Sequence, residues 1–530
     1  MFVHNVDPLT KLVHVPSLQP RIERAVVDMQ STPKSFEALL FAIYSAAVMS
    51  LKEGECKQCF NEPRKALLSR YTSATKAALS RAKFMGTANL VVLQALVLHI
   101  ISVRDIYDPR TLWTLSGIAM RIAECMGLQR DGSTLHLPPF ESEIRRRIWW
   151  QLKMNDARTA EMTGLPKFRG FFGEEHSPHP PANVNDDELY YGMPALPTES
   201  TRVTDMIFCV VRSEFPSLLR RFSAKIPQYD MSSRMWDKYA SKGDMKGTDD
   251  LMTELEENLE TKYLRYCDPS NPLQLMVMLV ARSAMNVGRF VAHHPRRWAS
   301  EEQTPESERQ HVWNLSIKLL EQYNMMQSIP RFSWHAAYFM QWNSFIHILD
   351  TLLARPLKED AAKTWQSIDS AYESTPEMVS NMKKPIHVAV GNLCLKAWAA
   401  REAALKANGQ PVLNVPEYII QLRKQREEAS NRRQLRRNQD KVGGGRPGDA
   451  ASGQPMNTTK SITAPLEPNA LPQLTNADQP QDSNIASWYN DGVDDGLFGM
   501  PASMMDMDSY YMLAQNNNLE GTTDQYFDWA

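Results

Sequence analysis

The chain has 530 residues, a length that at roughly 100–200 residues per domain suits one large core or several smaller ones. Its formal net charge of −2 excludes a protein that coats DNA over its whole surface. Six cysteines lie scattered between positions 56 and 394, which excludes a disulfide framework and favours a reducing compartment. The first residues lack a charged segment followed by an apolar run, so we expect no signal peptide.

From residue 1 to about residue 408, apolar side chains recur every three to four positions, as on one face of a helix. No alternating run is long enough to indicate a sheet, so the sequence predicts an all-α fold, a large multi-helix domain. Residues 89–103 form the most apolar stretch, which is shorter than the ~18–20 residues of a membrane span and predicts a helix buried on all sides. The other helical stretches are 36–49, 64–84, 112–128, 206–222, 273–291, 307–327 and 336–354.

Four other segments of the chain differ in composition from the helical stretches. Residues 167–203 are rich in proline, asparagine and aspartate, which predicts a long loop. After the domain 1–408, residues 409–441 predict a basic helical segment, residues 442–483 a disordered linker, and residues 484–530 an acidic tail with interleaved aromatic residues. No lysine or arginine follows Lys460, and this acidic–hydrophobic pattern is typical of an activation segment, although a solvated tail without function is the alternative.

Metal-binding patterns are weak in this sequence. Cys56 and Cys59 have the spacing of half a zinc site, but no second pair follows, and we interpret them as a chance pair in a loop. Residues 443–448 are glycine-rich without a preceding strand or a following helix, so they do not form a phosphate loop. We therefore predict no metal site and no catalytic residues. The remaining candidates, interpreted as solvated loop residues, are Glu174, Glu175, His176 and His179.

An all-α enzyme of the terpenoid-synthase type is the alternative from another class. Its Mg²⁺ ions would need an aspartate-rich cluster and an Asn/Ser/Glu triad on facing helices. Asp186 and Asp187 supply paired acids, but Tyr190 stands where a third acid is expected. The stretch 155–163 begins like the triad and ends in Thr163 instead of glutamate. Both sites lack a carboxylate that the metal chemistry requires. A small-molecule-binding protein without a DNA role remains a further alternative.

The stretches LWTLSGIAMRIAECMGLQRDG and FESEIRRRIWWQLKMNDARTAEMTGLP resemble the middle homology region of fungal binuclear-zinc-cluster transcription regulators. The loop PANVNDDEL and the opening NVDPLTKLVHVPSL are similar to further segments of that family, so the likeness covers roughly residues 3 to 350. Gln129 departs from the histidine that is usual at its position. The residues that carry the motif are Trp113, Gly117, Ala119, Ala123, Gly127, Leu128, Arg130, Asp131, Glu143, Arg145, Arg146, Arg147, Trp149, Trp150, Asp156, Gly164 and Pro166.

The adjacent arginines and tryptophans raise the question of whether this helix binds nucleic acid or packs inside the domain. Glu141 lies four residues before Arg145, and Glu143 lies four before Arg147, a spacing that suits ion pairs on one helix face. We expect the arginine stems to lie along the tryptophan rings while their charged ends meet carboxylates, with Asp156 and residues 185–187 as candidate acceptors. The pattern thus favours packing over direct DNA contact.

The resemblance implies a transcription regulator of a metabolic or secondary-metabolite gene cluster, located in the nucleus and without enzymatic activity. It also implies a six-cysteine zinc cluster before this region. Because the resemblance begins almost at Met1 and the cysteines are dispersed, two interpretations stay open: the protein lacks that cluster, or the gene model is truncated. In either case we expect this sequence to contain no cluster and to hold no cofactor. Zinc and direct DNA binding are then expected only if an N-terminal cluster is restored, and DNA is otherwise reached through a partner. No membrane partner is expected.

Two sets of residues outside the motif are candidates for interactions with other proteins. Basic clusters before the linker resemble a nuclear import signal, with a solvated helical face as the alternative. The aromatic and leucine residues of the tail are candidates for contacts with coactivators or the transcription machinery. The import candidates are Arg423, Lys424, Arg426, Arg432, Arg433, Arg436 and Arg437. The tail candidates are Trp488, Tyr489, Leu497, Phe498, Tyr526, Phe527 and Trp529.

Overall fold

A computed structural model describes six stretches of the chain, and all their regular structure is helical. No strand occurs within them, so the predicted all-α class is confirmed. The described residues are 1–163, 178–223, 245–294, 304–382, 384–410 and 414–443.

The helices before residue 230 build the first part of the core. Helix α7 lies between α4, α6 and α8, and α8 packs along α9. Short 3₁₀ turns occupy Phe84–Gly86 and Asp186–Glu188. The helices are α1 (Phe2–Asn5), α2 (Asp7–Thr10), α3 (Val15–Val27), α4 (Lys34–Met49), α5 (Glu53–Phe60), α6 (Arg64–Arg81), α7 (Leu90–Ser102), α8 (Pro109–Cys125), α9 (Pro139–Met162) and α10 (Ile207–Ser223).

The later helices continue the same pattern of neighbouring pairs. Helix α12 packs between α11 and α13, and α13 also contacts α15 and α16. Further 3₁₀ turns occupy Leu264–Tyr266 and Ala337–Phe339. The helices are α11 (Met245–Lys262), α12 (Pro272–His293), α13 (Glu306–Gln327), α14 (Ser333–Ala336), α15 (Trp342–Ala354), α16 (Ala361–Ser374), α17 (Glu377–Ser380), α18 (Pro385–Ala407) and α19 (Glu417–Gly443).

Side-chain caps explain where several helices begin. The Asn89 side chain accepts a hydrogen bond from the backbone N–H of Val91 and so starts α7. Asp108 accepts from two backbone N–H groups at the start of α8, where Pro109 occupies the first helical position without losing a hydrogen bond. At the other end of α8, Gly127 has a φ of +79°, a conformation that glycine adopts without the steric cost of a Cβ. Gly127, the predicted C-cap, thus lies just after the end of α8 in the left-handed conformation that commonly ends a helix.

Two apolar helices lie inside the fold. The predicted burial of α7 is correct, and even His99 in that helix is buried, which lowers its pKa to about 3 and keeps the ring neutral. Helix α12 is long and apolar enough by composition to cross a membrane, but 61% of its apolar window is buried in the fold. That burial is expected of a core helix in a multi-helix domain.

Two local predictions are wrong. The stretch 336–354 is not one helix, because the backbone leaves helical geometry at Met340 and Gln341 between a 3₁₀ turn and α15. Cys56 and Cys59 lie on the helix α5 and not in a loop.

The described residues fall into two units. The first runs from Met1 through Tyr418 and contains the helices α1 to α18. The second begins at Ile419 and is described through residue 443 as a continuous helix. This helix covers Glu417–Gly443 of the chain, whereas the basic segment was predicted over residues 409–441.

Candidate functional site

The three consecutive arginines of α9, which we call the arginine triplet, each bind a different carboxylate or carbonyl group. Successive side chains on a helix project about 100° apart, so neighbouring residues face different surroundings. Arg145 Nε donates to Glu141 Oε1 at 2.9 Å, and its Nη1 donates to the Met126 carbonyl at the end of α8 at 3.0 Å. The predicted same-face pair on this side of the helix is present.

Arg146 points toward the segment between α8 and α9. Its Nε and Nη2 donate to the two carboxylate oxygens of Asp131 at 2.8 and 2.7 Å, a bidentate pair. Asp131 also accepts the backbone N–H of Ser133 at 3.0 Å and that of His179 at 3.0 Å. This one carboxylate therefore joins α9 to the loop that contains His179.

Arg147 is the most deeply buried member of the triplet. Its Nε donates to Glu143 Oε1 at 3.0 Å, the second predicted pair, and its Nη1 donates to Asp186 Oδ1 at 2.6 Å. The Arg147 side chain is 1% exposed, so both ion pairs lie away from water. Asp186 was a candidate acceptor in the sequence, whereas Asp156, the other candidate, makes no ion pair with a described arginine.

Lys11 brings the start of the chain into the same cluster. Its Nζ lies 2.8 Å from Asp186 Oδ2, 2.7 Å from Asp205 Oδ2 and 3.4 Å from Asp7 Oδ2. Lys11 is only 4% exposed and has a φ of +44°, which ends α2 with a left-handed residue and turns its side chain under the loop. We call Asp7, Lys11, Glu143, Arg147, Asp186 and Asp205 the buried ion network.

Backbone groups complete the coordination of this network. His14 Nε2 lies 2.7 Å from the Asp186 carbonyl oxygen, and the Ala182 N–H donates to Glu143 Oε2 at 3.2 Å. The Trp150 indole N–H donates to the His179 carbonyl at 2.9 Å. The described part of the predicted loop 167–203 is thus held against α9 by side-chain to backbone hydrogen bonds.

The pKa shifts of Asp7 and Glu143 are opposite in direction to that of Asp186. Burial raises the pKa of Asp7 to about 7, although the Lys11 charge opposes this shift. Burial also raises the pKa of Glu143 despite its pair with Arg147. At Asp186, burial acts in the same direction, but the charges and hydrogen bonds of Arg147 and Lys11 outweigh it and hold the pKa below its ordinary value. Asp186 is therefore the carboxylate that stays ionised between the two cations.

This geometry is suited to holding three segments together. The arginine triplet has its charged groups on carboxylates and carbonyls inside the domain, which matches the predicted packing role and leaves these groups poorly placed to contact phosphates. Among the described residues, a cation also lies over the Trp149 ring: Lys153 Nζ is 5.3 Å from its centre. Trp149 and Trp150 themselves are buried, at 0% and 5% exposure.

The other motif residues lie at varied positions. Trp113 is 36% exposed on α8, and Arg130 is exposed after it, so neither belongs to the buried ion network. Gly117 lies within α8, where an added Cβ would meet only the end of a flexible arginine. Asp156 is partly buried on α9 with its pKa raised by burial. Gly164 and Pro166 lie outside the described residues.

The described residues among the metal candidates do not come together in one site. Cys56 is buried and Cys59 is exposed on α5, and all six cysteines are free thiols. Across the described stretches, no group of three or more His, Cys, Asp or Glu residues could hold a metal ion. The paired acids of the terpenoid-synthase alternative are separated, since Asp186 binds Arg147 and Lys11 while Asp187 is exposed. Glu174, Glu175 and His176 lie outside the described residues.

The import candidates lie on α19, and the tail candidates cannot be placed. Arg423, Lys424, Arg426 and Arg432 are exposed on this helix. Arg433, Arg436 and Arg437 are also part of the helix, but their side chains lie outside the described set. All the tail candidates, from Trp488 to Trp529, lie outside the described residues.

Sequence reasoning missed Lys11, His14 and Asp205 as members of the site. One local signal could have revealed Lys11: it follows Asp7 by four residues, a spacing that suits an ion pair, and its Nζ lies 3.4 Å from Asp7 Oδ2. The contact between Lys11 and Asp205 joins residues 194 positions apart, and only the folded chain brings them together. These residues place the N-terminal segment and the loop before α10 in one cluster with the arginine triplet.

The fold and the motif define the class of protein. An all-α domain whose Arg-Arg-Arg-Ile-Trp-Trp helix is tied to an Asn-Asp-Asp loop matches the fungal specific transcription factor domain over residues 1–188. The chain belongs to the family of fungal proteins that carry this domain, as the motif predicted.

Named relatives extend the similarity well beyond the matched domain. The chain is 36% identical over 416 residues to the aurofusarin cluster transcription factor aurR2 of Gibberella zeae, covering 77% of this chain and 60% of that protein. It is 30% identical over 442 residues to the pyriculol/pyriculariol biosynthesis cluster transcription factor 1 of Pyricularia oryzae, covering 80% and 57%. It is 30% identical over 396 residues to the C6 finger domain transcription factor hasF of Aspergillus fumigatus, covering 66% and 51%.

The chain spans between about half and three fifths of the length of these relatives. The family and the relatives carry the names of transcription factors and not of enzymes, which supports the prediction against an enzyme. No solved structure matches the chain.

Proposed function

We propose that this protein regulates transcription in a fungus and controls a biosynthetic gene cluster. The observation that carries the proposal is the 36% identity over 416 residues to a protein named as a cluster transcription factor. That similarity covers 77% of the present chain, so it extends through most of the multi-helix domain. Residues 1–408 act as the regulatory domain, with the buried ion network holding its N-terminal segment, α9 and the loop before α10 together.

The segments after the domain carry its connections to the nucleus and to other proteins. The basic residues 409–441 bind a nuclear import receptor, because clustered arginines on an exposed helix offer an accessible positive surface. Residues 442–483 act as a disordered linker, and residues 484–530 contact coactivators or the transcription machinery through aromatic residues set among acids. The protein therefore works in the nucleus.

DNA is contacted through a zinc cluster or a DNA-binding partner in this proposal, and not through the arginine triplet. Arg146 and Arg147 each bind buried carboxylates, and pulling either one out would leave an unpaired charge in the interior. Nucleic-acid affinity depends on cations that can reach phosphates. The basic helix α19 lacks the leucine heptads that a dimeric DNA-reading helix requires, which argues against a direct DNA role for it.

A reporter assay tests the activation part of the proposal. Residues 442–530 are fused to a heterologous DNA-binding domain, and transcription from its reporter is measured. We expect activation by this fusion, loss of activation when the tail candidates Trp488 to Trp529 are changed to alanine, and none from residues 442–483 alone. Equal activation by the linker alone would contradict the assignment to the tail.

A genetic experiment tests the cluster assignment. Deleting the gene in its host should lower the transcripts of the biosynthetic genes in one cluster severalfold, while housekeeping transcripts stay unchanged. Restoring the complete reading frame should restore them. If the deletion leaves the transcripts of every biosynthetic cluster unchanged under producing conditions, the proposed function is wrong.

A further inference from the structure

The pair Cys56 and Cys59 lies on α5, where one thiol is buried and the other is exposed. Cys56 is 0% exposed and belongs to the apolar core of the domain, whereas Cys59 is open to solvent. Both are free thiols, and their Cys-x-x-Cys spacing is the one that thiol–disulfide oxidoreductases use. No further ligand joins the pair among the described residues, so zinc does not account for it.

Helix geometry places the two cysteines close together. Residues three positions apart on a helix lie on the same face, with Cβ atoms about 5–6 Å apart. A disulfide needs Cβ atoms about 3.5–4.5 Å apart, so the two positions must approach each other by roughly 1–2 Å. One of the two cysteines therefore has to leave its regular helical position when a disulfide forms.

The last turn of α5 can make this movement, because its side chains are not held by the core. All four residues 57–60 are exposed. The helix ends at Asn61, whose backbone N–H donates to the Lys57 carbonyl at 3.0 Å. A helix end with few buried contacts opens at little cost in free energy. Cys59 can therefore move toward Cys56 while the core holds Cys56 in place.

The two environments give different roles to the two sulfur atoms. Burial raises the pKa of the Cys56 thiol, so this group stays protonated, and its position in the core keeps it away from a dissolved oxidant. Cys59 is the thiol that solvent reaches first. An exposed cysteine next to a second cysteine that resolves its oxidised form is the usual arrangement of a redox-sensitive site.

We propose that Cys56 and Cys59 form a reversible disulfide when the protein meets hydrogen peroxide. The Cys59 sulfur attacks one peroxide oxygen, the O–O bond breaks, and Cys59 becomes a sulfenic acid while one water molecule leaves. The Cys56 sulfur then attacks the Cys59 sulfur, the S–O bond breaks, and the hydroxyl group leaves with the Cys56 proton as a second water molecule. The two thiols together supply the two electrons that reduce the peroxide.

The disulfide changes the end of α5. Because Cys59 leaves its helical position, oxidation unwinds the last turn of this helix, which leads through a short connection into α6. Two molecules of glutathione restore the thiols by disulfide exchange and leave as glutathione disulfide. Disulfides in a reducing compartment are usually transient and redox-sensing, which suits a bond of this kind. The site does not depend on the proposed role in transcription.

Mass spectrometry of the full chain tests this proposal. The reduced protein is treated with hydrogen peroxide, its remaining thiols are blocked with N-ethylmaleimide, and it is digested with trypsin. Trypsin cleaves after Lys57, between the two cysteines, so the peptides 53–57 and 58–64 stay together only through a disulfide. We expect this linked pair as the main oxidation product, with the loss of two of the six free thiols. Glutathione should then separate the two peptides.

Three variants separate the roles of the cysteines. Cys59→Ser should abolish the linked pair and leave the Cys56 thiol unoxidised, and this substitution at an exposed position keeps the fold. Cys56→Ser should stop the reaction at the sulfenic acid of Cys59, which dimedone labels. Cys125→Ser, at the exposed cysteine of α8, is the matched control and should oxidise like the natural protein.

The measurement on the natural protein and on Cys59→Ser keeps the proposal testable if Cys56→Ser does not fold. Peptides 53–57 and 58–64 that stay separate at every peroxide concentration would overturn the proposal. So would equal amounts of peptides joined through Cys125, or a Cys59→Ser variant that loses as many thiols as the natural protein.

Discussion

At Arg147, one guanidinium binds two carboxylates, and one of these, Asp186, also binds Lys11. Desolvating these charges is expensive, and the cost is offset only while every partner is present. The network therefore specifies one arrangement of three chain segments more than it adds net stability. The loss of unfolding free energy in a variant of the network should therefore depend on which charge the substitution leaves unpaired.

Arg147→Met should destabilise the domain by about 3–5 kcal/mol, since it removes the close cation of the buried Glu143 and leaves Asp186 with Lys11 alone. Arg145→Met, on the same helix, is the matched control and should cost roughly 1 kcal/mol, because its partner Glu141 is 40% exposed. Urea unfolding at neutral pH measures both. A similar loss of unfolding free energy in the two variants would contradict the prediction that the buried ion pairs of Arg147 matter more than the exposed pair of Arg145.

Asp7→Asn should change how stability depends on pH. The folded-state pKa of Asp7 is raised from 3.8 to about 7, so the neutral carboxyl group stabilises the fold at low pH and this contribution is lost as pH rises toward 7. Asparagine stays neutral, so the variant should gain stability relative to the natural protein as pH rises from about 4 to about 7. Three pH units at about 1.4 kcal/mol each set an upper bound near 4 kcal/mol.

Urea unfolding of both proteins at several pH values across that window measures the difference, and the titration of other groups cancels because both proteins share them. Parallel stability profiles would mean that the Asp7 carboxyl group ionises in the fold as it does in the unfolded chain.

At the scale of elements, α9 combines a buried tryptophan pair with the arginine triplet. Trp150 fills the core with its ring and also donates its N–H to the His179 carbonyl, so it fixes both the helix and the loop. Helix α9 therefore links packing and polar contacts within a single turn. Its sequence pattern places large apolar residues and cations side by side because the helix is enclosed by other segments on several sides.

Trp150→Ala should destabilise the domain by ~3–5 kcal/mol through the cavity that it creates. Trp113→Ala, at a ring that is 36% exposed on α8, is the control and should cost no more than about 1 kcal/mol. Thermal and urea unfolding measure both changes. An unchanged melting temperature for Trp150→Ala would show that the ring is exposed and would favour a binding role for the helix.

The elements also show what the sequence could predict and why it could not predict the rest. Helix α13 followed from apolar periodicity, α4 and α7 followed from stretches that are apolar nearly all round, and the pairs of Arg145 and Arg147 followed from a spacing of four residues. The break at Met340 has no proline or glycine to mark it. There the carbonyl freed from helical bonding accepts a hydrogen bond from Arg158 of α9 at 3.2 Å, a contact between residues 182 positions apart. Such tertiary contacts leave no local pattern.

At the scale of the whole molecule, positive and negative charges are distributed by segment. The charges of the buried ion network lie inside the domain. The basic segment 409–441 has exposed arginines on α19. After Lys460 the chain has no lysine or arginine. A near-neutral total charge thus conceals a basic segment and an acidic one. The proposed import segment needs a positive charge and the proposed activation tail a negative one, and the chain carries these charges in separate segments.

The import proposal predicts where a fluorescent fusion of the full chain accumulates. Changing Arg432, Arg433, Arg436 and Arg437 to glutamine should move it from the nucleus to the cytoplasm, because import receptors recognise the positive charge of clustered basic residues. Changing the same four residues to lysine keeps the charge and the helix propensity, so this control should stay nuclear. Glutamine also has a high helix propensity, so loss of import would not arise from unfolding of α19. If the glutamine variant stays fully nuclear, the cluster is only a solvated face of the helix.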